Sequence, residues 1–407
     1  MTHQCANVAR ARTAVKRKKQ SDAESQSTEP KRVALVIESM MAPRRSMMNG
    51  VARFMQEHEP WLIYLKPAFA ERSLEKWVSQ WKGDGIITTV FQEEVGILSN
   101  VGIPVVDLLG QFPERGFPIV RTNDYTVGKI GAEHLLERGF RNFGFCEFGH
   151  LFWSRRRREG FEQRVIDAGF SCHVYDSLPH TKDWGGPEAW EAHQQSLMRW
   201  IEGLPKPIGV MTTNDGLGQQ LLEACLRLNL RVPDTVGVLG VDNDEPLCRI
   251  SSPPLSSVIV DDAQRGYEAA ALLAKLMAGE PKPDHPTLID PIGIAPRAST
   301  DVFAIDDDLL VAALRHIRDV ACTQVSVDDI AATLNVSRSS LDRRFRQVLR
   351  RSVNDEIVRV RINRAIDLIV QTKLELKDIA IRCGFSSQAY MSTVFKEKLG
   401  RTPGSYR

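Results

Sequence analysis

The sequence predicts two unlike parts: a two-lobed α/β fold with parallel sheets flanked by helices, then an all-α domain with two helix-turn-helix motifs. From Lys31 onward, short apolar runs alternate with helical stretches, which is typical of parallel sheets wrapped by helices. The last hundred residues contain one short pattern twice, which indicates a single supersecondary module used twice. A chain of 407 residues has room for two or three domains.

The first 30 residues differ from the rest of the chain. Residues 1–30 are polar, poor in bulky apolar side chains, and contain the basic run Lys16-Arg17-Lys18-Lys19. Such a segment cannot bury enough apolar surface to offset the entropy lost on ordering. We therefore expect a disordered, solvated basic tail, with weak nonspecific affinity for DNA as its alternative role.

The α/β part is predicted to span residues 31–297. Seven apolar runs are predicted as buried strands: Val33–Ile37, Trp61–Leu65, Gly85–Ile87, Pro104–Val106, Asn142–Cys146, Ile208–Met211 and Val236–Val241. Seven stretches between them are predicted as helices: Ser46–Glu57, Leu74–Trp81, Val127–Arg138, Glu159–Ala168, Ala189–Ile201, Gly218–Leu228 and Gln264–Met277. Roughly 260 residues is large for one sheet and suits two lobes. The first lobe is expected to end near Thr122 and to be rejoined near Val258 to Pro291.

After a short polar linker at residues 298–308, the repeated module occupies residues 309–407. Asp329-Ile330-Ala331 recurs 49 residues later as Asp378-Ile379-Ala380, and Phe345 recurs 50 residues later as Phe395. We attribute this drift to a second helix that is one residue longer before its Phe in the second copy. Each copy reads as helix, turn and helix, with the second helices over 338–350 and 387–398 and Leu341, Phe345, Val348, Leu349, Met391, Phe395 and Leu399 facing inward.

Each turn between the paired helices has a residue suited to it. Asn335 and Gly384 tolerate the left-handed backbone of a tight turn, and Ser337 or Ser386 is expected to cap the following helix. A helix over Asp355–Val370 separates the copies and spans roughly 22 Å. With the helices at its ends, it could set the two second helices about one turn of DNA apart, roughly 34 Å.

The outward faces of the two second helices are predicted to contact DNA. They carry cationic, hydroxyl and amide side chains suited to phosphates and base edges. The predicted contacts are Arg338, Ser339, Asp342, Arg343 and Arg346 in the first copy, and Gln388, Ala389, Ser392, Thr393 and Lys396 in the second. Residues 309–407 hold 18 Lys or Arg and 10 Asp or Glu, a formal charge of +8, whereas the preceding 308 residues hold 35 and 41, a charge of −6. The cationic surplus therefore lies in the helical part.

These motifs resemble known families. Residues 308–407 resemble the DNA-binding domain of AraC/XylS-type transcription regulators, through Asn335-Val336-Ser337 in the first copy and Cys383-Gly384-Phe385-Ser386-Ser387, Pro403 and Tyr406 in the second. The order of Gly83–Ile87, Asn123–Tyr125, Gly131–Phe140, Arg157–Phe161 and Gly237–Asn243 resembles the sugar-binding domain of LacI-type repressors and periplasmic sugar-binding proteins. Together the two resemble bacterial xylose-operon regulators. That resemblance implies a cytoplasmic homodimer that binds double-stranded promoter DNA and, as an activator, RNA polymerase, under control of a sugar.

Candidate ligand residues follow from the fold and from this resemblance. Asp215 and Asp242 come directly after predicted strands, and ligands of such folds bind at the carboxyl ends of strands. A carboxylate accepts hydrogen bonds from paired sugar hydroxyls, although Asp215 could instead cap the helix near Gly218. By position, the resemblance adds Arg45, Asn123, Asp124, Trp153 and Arg157, each of which could also serve lobe closure or the core.

Two features depart from the xylose pattern. The run Arg155-Arg156-Arg157-Arg158 is unusually cationic, and Asn123-Asp124 reverses the usual order. A different sugar or an acid sugar is therefore an alternative effector, a nucleobase or an amino acid is a rival, and a solvated helix start is the simplest account of the arginines.

Other functional classes have little support in the sequence. Gly216-Leu217-Gly218 lacks the remaining features of a dinucleotide loop, no phosphate-binding loop motif is present, and the nine histidines form no His-x-x-x-His pair. We therefore expect no enzyme, no cofactor and no metal site. A transport receptor would share the two lobes but needs an export signal, and neither such a signal nor a membrane-spanning run is visible.

Overall fold

The computed structural model describes residues 29–37, 42–65, 74–89, 96–111, 116–177, 186–301, 307–349 and 351–406. Nearly all of the predicted basic tail and the middle of the predicted linker lie outside these residues. The strands are β1 Arg32–Val36, β2 Leu62–Leu65, β3 Gly85–Thr88, β4 Val105–Asp107, β5 Val120–Thr122, β6 Asn142–Glu147, β7 Cys172–Asp176, β8 Ile208–Thr212, β9 Val236–Val241, β10 Ser256–Ile259, β11 Thr287–Ile289 and β12 Gly293–Ala295.

The helices of the α/β part are α1 Ala42–Glu57, α2 Leu74–Gln80, α3 Asp124–Glu137, α4 Phe152–Asp167, α5 Pro187–Glu202, α6 Asp215–Arg227, α7 Glu245–Ile250 and α8 Asp262–Met277. The helices of the helical part are α9 Asp308–Val320, α10 Val327–Thr333, α11 Arg338–Leu349, α12 Val353–Gln371, α13 Leu376–Arg382 and α14 Gln388–Leu399. The fold class predicted from the sequence is confirmed, because the α/β part has two main sheets that are parallel except for one strand, and the helical part has two helix-turn-helix units.

The two lobes each have their own sheet. The first lobe has the parallel order β2-β1-β3-β4, and a bridge between Asp107 and Ile119 leads on to the pair β5-β11. The second lobe has the order β12-β10-β9-β8-β6-β7, in which only β12 runs antiparallel to its neighbour among these strands. The chain was expected to rejoin the first lobe over about Val258 to Pro291. Within that range β11 does pair with β5 of the first lobe, but Val258 still pairs with Val241 inside the second sheet. The crossing therefore follows β10 and leads into α8.

Each lobe contains one close helix crossing at glycines. In the first lobe, a Cβ on Gly50 would lie 1.9 Å from the carbonyl oxygen of Ala263, and one on Gly266 would lie 1.9 Å from that of Met47. In the second lobe, a Cβ on Gly128 would lie 1.8 Å from the carbonyl oxygen of Arg157. Only glycine permits such approach, so α1 packs tightly on α8 and α3 on α4, with the beginnings of all four helices near the gap between the lobes.

The two helix-turn-helix units have separate cores joined by α12. The first core gathers α9, α10, α11 and the start of α12 around Leu314, Ile330 and Phe345. The second core gathers the rest of α12 with α13 and α14 around Ile366 and Phe395. With 19 residues, α12 is about 28 Å long.

Several local predictions for the repeat need correction. Ser387, not Ser386, caps α14, because its hydroxyl accepts from the backbone N–H of Tyr390. Phe345 and Phe395 are both the eighth residue of a 12-residue helix. The extra residue of the second copy therefore lies in the turn between α13 and α14 and not in α14. Leu399 is 39% exposed and does not belong to the core. Asn335 and Gly384 do have positive φ values, 55° and 78°.

Candidate ligand cleft and DNA-reading helices

A cavity of about 100 Å³ lies between the two lobes, which we call the lobe cleft. The first lobe contributes apolar and cationic side chains to it, namely Pro43, Arg44, Met47, Leu109, Arg121 and Arg265. The second lobe contributes Asp124, Trp153, Arg157, Asn214 and Asp242. The first lobe therefore provides three guanidinium groups and the second provides both carboxylates.

Arg157 is the centre of the second lobe's side of the cleft. Its Nε donates to Oδ1 of Asp124 at 2.9 Å, and its Nη1 donates to the carbonyl oxygen of Thr213 at 2.6 Å. Nη1 also lies 3.5 Å from Oδ1 of Asp242, and the guanidinium lies 4.8 Å from the ring centre of Trp153. Burial alone would lower the pKa of Arg157, but Asp124 and Asp242 raise it above its ordinary value. Arg157 is thus a fixed cation that orients two acidic side chains and an indole.

Asp242 lies on a strained loop directly after β9. Its φ of 103° is in the region that favours glycine, so the surrounding structure must hold it there. Asp215 provides part of that support: it accepts from Oγ of Ser257 at 2.6 Å and from the backbone N–H of Asp244 at 2.8 Å. Burial raises the pKa of Asp242 to about 7 and, together with the nearby Asp242, that of Asp215 to about 8.

Cations of the first lobe face this acidic side across the cleft. Arg265 donates to Oγ1 of Thr122 at 3.1 Å and forms an ion pair with Asp262. Nη1 of Arg44 lies 3.4 Å from Oγ1 of Thr89. The guanidinium of Arg121 stacks on Phe152 with 4.4 Å from its Cζ to the ring centre.

The structure brings four of the seven predicted ligand residues to the lobe cleft: Asp124, Trp153, Arg157 and Asp242. Arg45 is exposed and does not line the cleft, whereas its neighbour Arg44 does. Asn123 caps α3 and donates to Asp290 at 2.8 Å. Asp215 is the first residue of α6 and supports the Asp242 loop, and the cap of α6 is Asn214.

Sequence reasoning missed Arg44, Arg121, Asn214 and Arg265. Arg44 lies before the predicted start of its helix, at Ser46, so the helix face could not be assigned correctly. Arg121 is the middle residue of β5, and only the residues on either side of it are buried. A strand of three residues is too short to show the alternation that identifies a strand in a sequence. Asn214 could have been found, because Asn before a helix is a common cap.

Most predicted DNA contacts are exposed on α11 and α14. Arg338, Ser339, Arg343 and Arg346 are exposed on α11, and Gln388, Ala389, Thr393 and Lys396 are exposed on α14. Ser392 is half-buried. Asp342 is also half-buried and accepts from the backbone N–H of Val353 at 3.1 Å, so it contributes to the start of α12. The exposed residues form two faces, of which the one on α11 is the more cationic.

Helix α3 connects the lobe cleft to the helical part. Asp124 begins α3 at the cleft, and Glu137 ends it with an ion pair of 3.2 Å to Arg359 of α12. Arg359 also pairs with the buried Glu356, which in turn accepts from Nε of Arg351 at 2.6 Å. Burial alone would raise the pKa of Glu356, but Arg359 and Arg351 lower it to about 2. This charged chain joins the end of α3 to the first turns of α12.

A second connection runs from the cap of α3. Asn123 donates to Oδ1 of Asp290, and Oδ2 of Asp290 accepts from Nη2 of Arg401 at 2.9 Å. Ile292 of the α/β part packs against the second helical core. We call these contacts of Glu137, Asp290, Ile292, Arg351, Arg359 and Arg401 the interdomain contact; a cavity of about 710 Å³ lies along it.

Within the described residues, none of the helices is long and apolar enough to cross a membrane. The same residues contain no cluster of three or more His, Cys, Asp or Glu side chains arranged to hold a metal ion.

Comparison with known proteins identifies relatives of both parts. A family model for a periplasmic binding protein-like domain matches residues 132–300, and one for a helix-turn-helix domain matches residues 330–407. The xylose operon regulatory protein of Escherichia coli K12 is 29% identical over 389 residues, covering 93% of this chain and 97% of that protein. The corresponding protein of Haemophilus influenzae is 29% identical over 386 residues, covering 92% and 98%.

Solved structures agree with these relationships. A xylose-binding transcription activator superposes with a TM-score of 0.60 at 27% identity, covering 93% of this chain and 98% of that one. A LacI family regulator from Mycobacterium smegmatis has a TM-score of 0.55 at 24% identity, covers 66% of this chain, and supports the fold of the α/β part alone.

Proposed function

We propose that this chain, a transcription regulator in which a periplasmic-binding-protein-like sensor precedes an AraC-type double helix-turn-helix domain, uses a sugar bound in the lobe cleft to control its binding to promoter DNA. The observation that carries the proposal is α3, which begins beside the cleft at Asp124 and ends on the DNA-binding part at Glu137. The relatives with which it aligns over most of its length are transcription regulators and not enzymes.

The cleft has the chemistry of a carbohydrate site. Asp124 and Asp242 accept hydrogen bonds from adjacent sugar hydroxyls, and Asn214 both donates and accepts them. Trp153 offers an aromatic face for the C–H groups of a sugar ring. The relatives named as xylose operon regulators favour a pentose or a similar small sugar.

DNA reading is assigned to α11 and α14. Arg343 and Arg346 project from α11, and Lys396 projects from α14, with hydroxyl and amide groups beside them. Guanidinium groups form paired hydrogen bonds to guanine in the major groove, so Arg343 is our candidate for a base contact. The sensor comprises residues 31–297 and the DNA-binding domain residues 309–407 in this proposal.

Ligand binding acts on the DNA-binding domain through α3. Arg157 and Asp124 respond directly to a bound sugar, and a shift of α3 changes the positions of Glu137 and of the Asn123–Asp290–Arg401 chain. A ligand moves such an equilibrium only through its different affinity for the two arrangements, typically by about 1–3 kcal/mol. We further propose a homodimer that acts in the cytoplasm and activates transcription through contact with RNA polymerase; of these properties, the relative named as a transcription activator supports activation.

The proposal is tested by fluorescence anisotropy with fragments of the chain's own upstream region, with and without candidate sugars. A sugar should change the affinity for one fragment at least several-fold, and Arg343→Ala should weaken specific binding by about 1–3 kcal/mol. Lys275→Ala, which removes one exposed charge from α8 of the sensor, is the matched control and should leave binding unchanged. Equal effects of the two variants would contradict the assignment of α11.

A further inference from the structure

The four arginines of the lobe cleft differ in what balances their charge. Arg157 takes both carboxylates that line the cleft, Asp124 and Asp242. Arg265 is balanced by Asp262, outside the cavity lining. Arg121 forms no ion pair within the described part of the chain, and its Nε and Nη1 atoms are buried there without a hydrogen-bond partner. The guanidinium of Arg121 instead stacks on the ring of Phe152.

A cation in this position is costly for the sensor alone. Burial lowers the pKa of Arg121, which means that its charged form is less favourable there than in water. The nearest acidic neighbour on its own lobe, Asp107, directs both oxygens to the backbone N–H groups of Leu109 and Gly110. Burial raises the pKa of Asp107 to about 6, so it is still mostly ionised at neutral pH, but its oxygens are occupied by these backbone N–H groups and not by the guanidinium.

The polar groups of the cleft are also separated by lobe. Arg44, Arg121 and Arg265 lie on the first lobe, while the acceptors Asp124, Asn214 and Asp242 lie on the second. A neutral sugar has hydroxyls on every side and would leave the guanidinium of Arg121 without a carboxylate partner. A molecule with a carboxylate at one end and hydroxyls at the other matches both walls, because guanidinium groups bind carboxylates through paired, charge-assisted hydrogen bonds.

We infer that the effector is an acid sugar, an aldonate or uronate, whose carboxylate lies against Arg121 and its cationic neighbours while its hydroxyls face Asp124 and Asp242. This inference rests on the proposed function, since it names the class of sugar that the same cleft binds.

The test is calorimetric titration of the full chain with D-xylose, D-xylonate, D-glucuronate, D-galacturonate and D-glucose 6-phosphate. One of the carboxylates should bind at least about tenfold more tightly than D-xylose, the size expected for one additional charge-assisted contact. Arg121→Gln should remove that advantage, so that the carboxylate and D-xylose then bind with similar affinities. Arg121→Lys, which keeps the charge but loses the planar fork, should fall between the two.

Arg45→Gln is the matched control, because Arg45 adjoins Arg44 but is exposed outside the cleft, and it should change none of these affinities. Thermal unfolding of each variant verifies that it is folded before titration. Tighter binding of D-xylose or of the phosphate ester than of every carboxylate would overturn the inference and leave the sugar-sensing function standing. Binding of none of the five compounds would count against both.

Discussion

The lobe cleft and the interdomain contact are both rich in arginine, yet their charges are arranged differently. At the interdomain contact, Arg359 faces Glu137 and Glu356, Arg351 faces Glu356, and Arg401 faces Asp290. At the lobe cleft, Arg157 faces two carboxylates, whereas Arg121 faces an aromatic ring.

This difference separates a structural contact from the proposed binding site. Each arginine of the interdomain contact has a carboxylate partner within the chain. These ion pairs therefore hold the sensor and the DNA-binding domain in one relative position without a ligand. In the cleft, the guanidinium of Arg121 has no hydrogen-bond partner for its Nε and Nη1 atoms within the described residues. Such an arrangement suits a site that binds an anionic ligand. Helix α3 contacts both regions, and we propose that it transmits a change at the lobe cleft to the interdomain contact.

The largest expected effect comes from removing the charge that organises the cleft. Arg157→Gln leaves Asp124 and Asp242 buried without their cation and should lower the free energy of unfolding by about 3–5 kcal/mol. The neighbouring Arg156→Gln removes an exposed pair with Glu159 and a contact with the ring of Tyr125, and should cost less than about 1 kcal/mol. Urea denaturation measures both; similar losses would mean that the cleft is not held by Arg157.

Lowering the pH should have opposite effects on the stability contributed by Asp215, which supports the cleft, and by Glu356, at the interdomain contact. The pKa of Asp215 is raised to about 8 by burial, so the folded state holds a proton that the unfolded state releases above about pH 4. Asp215 therefore lowers stability as pH rises from about 4 to 8. The pKa of Glu356 is lowered to about 2 because Arg359 and Arg351 outweigh its burial. Its stabilisation is present above about pH 4.5 and is lost as pH falls towards 2.

Asp215→Asn and Glu356→Gln separate these contributions in urea denaturation between pH 3 and 9. Relative to the unmodified protein, Asp215→Asn should gain several kcal/mol in stability between pH 4 and 8, about 1.4 kcal/mol for each unit by which the pKa is raised. Glu356→Gln should be less stable than the unmodified protein above about pH 4.5, and this difference in stability should shrink as the pH is lowered towards 3. Profiles parallel to that of the unmodified protein would show that neither carboxyl is perturbed.

The sequence predicted the helical part better than it predicted the cleft. Two copies of one helix-turn-helix pattern, with Asn335 and Gly384 at the turns, sufficed for the helical part because helix periodicity and turn chemistry are local. Strand ends likewise led to Asp242, and the family resemblance led to Arg157. Arg121 could not be found, because it lies on the short β5 and its significance depends on Phe152, a residue of the other lobe. Likewise, the choice between Arg44 and Arg45 depends on the exact start of α1.

The smallest expected effect on stability tests the link between the two regions. Glu137→Gln removes the carboxylate that joins the end of α3 to Arg359, in a pair whose Glu137 side chain is 35% exposed. Such a pair contributes less than about 1 kcal/mol, so urea denaturation should barely change. The effector-induced change in DNA affinity should nevertheless shrink several-fold, because α3 then loses its charged hold on α12. Glu133→Gln lies one turn earlier on α3 and removes a pair with Arg164 inside the sensor, so it should leave the response intact. If anisotropy showed the same response in both variants, communication would have to pass through Asp290 and Arg401 instead.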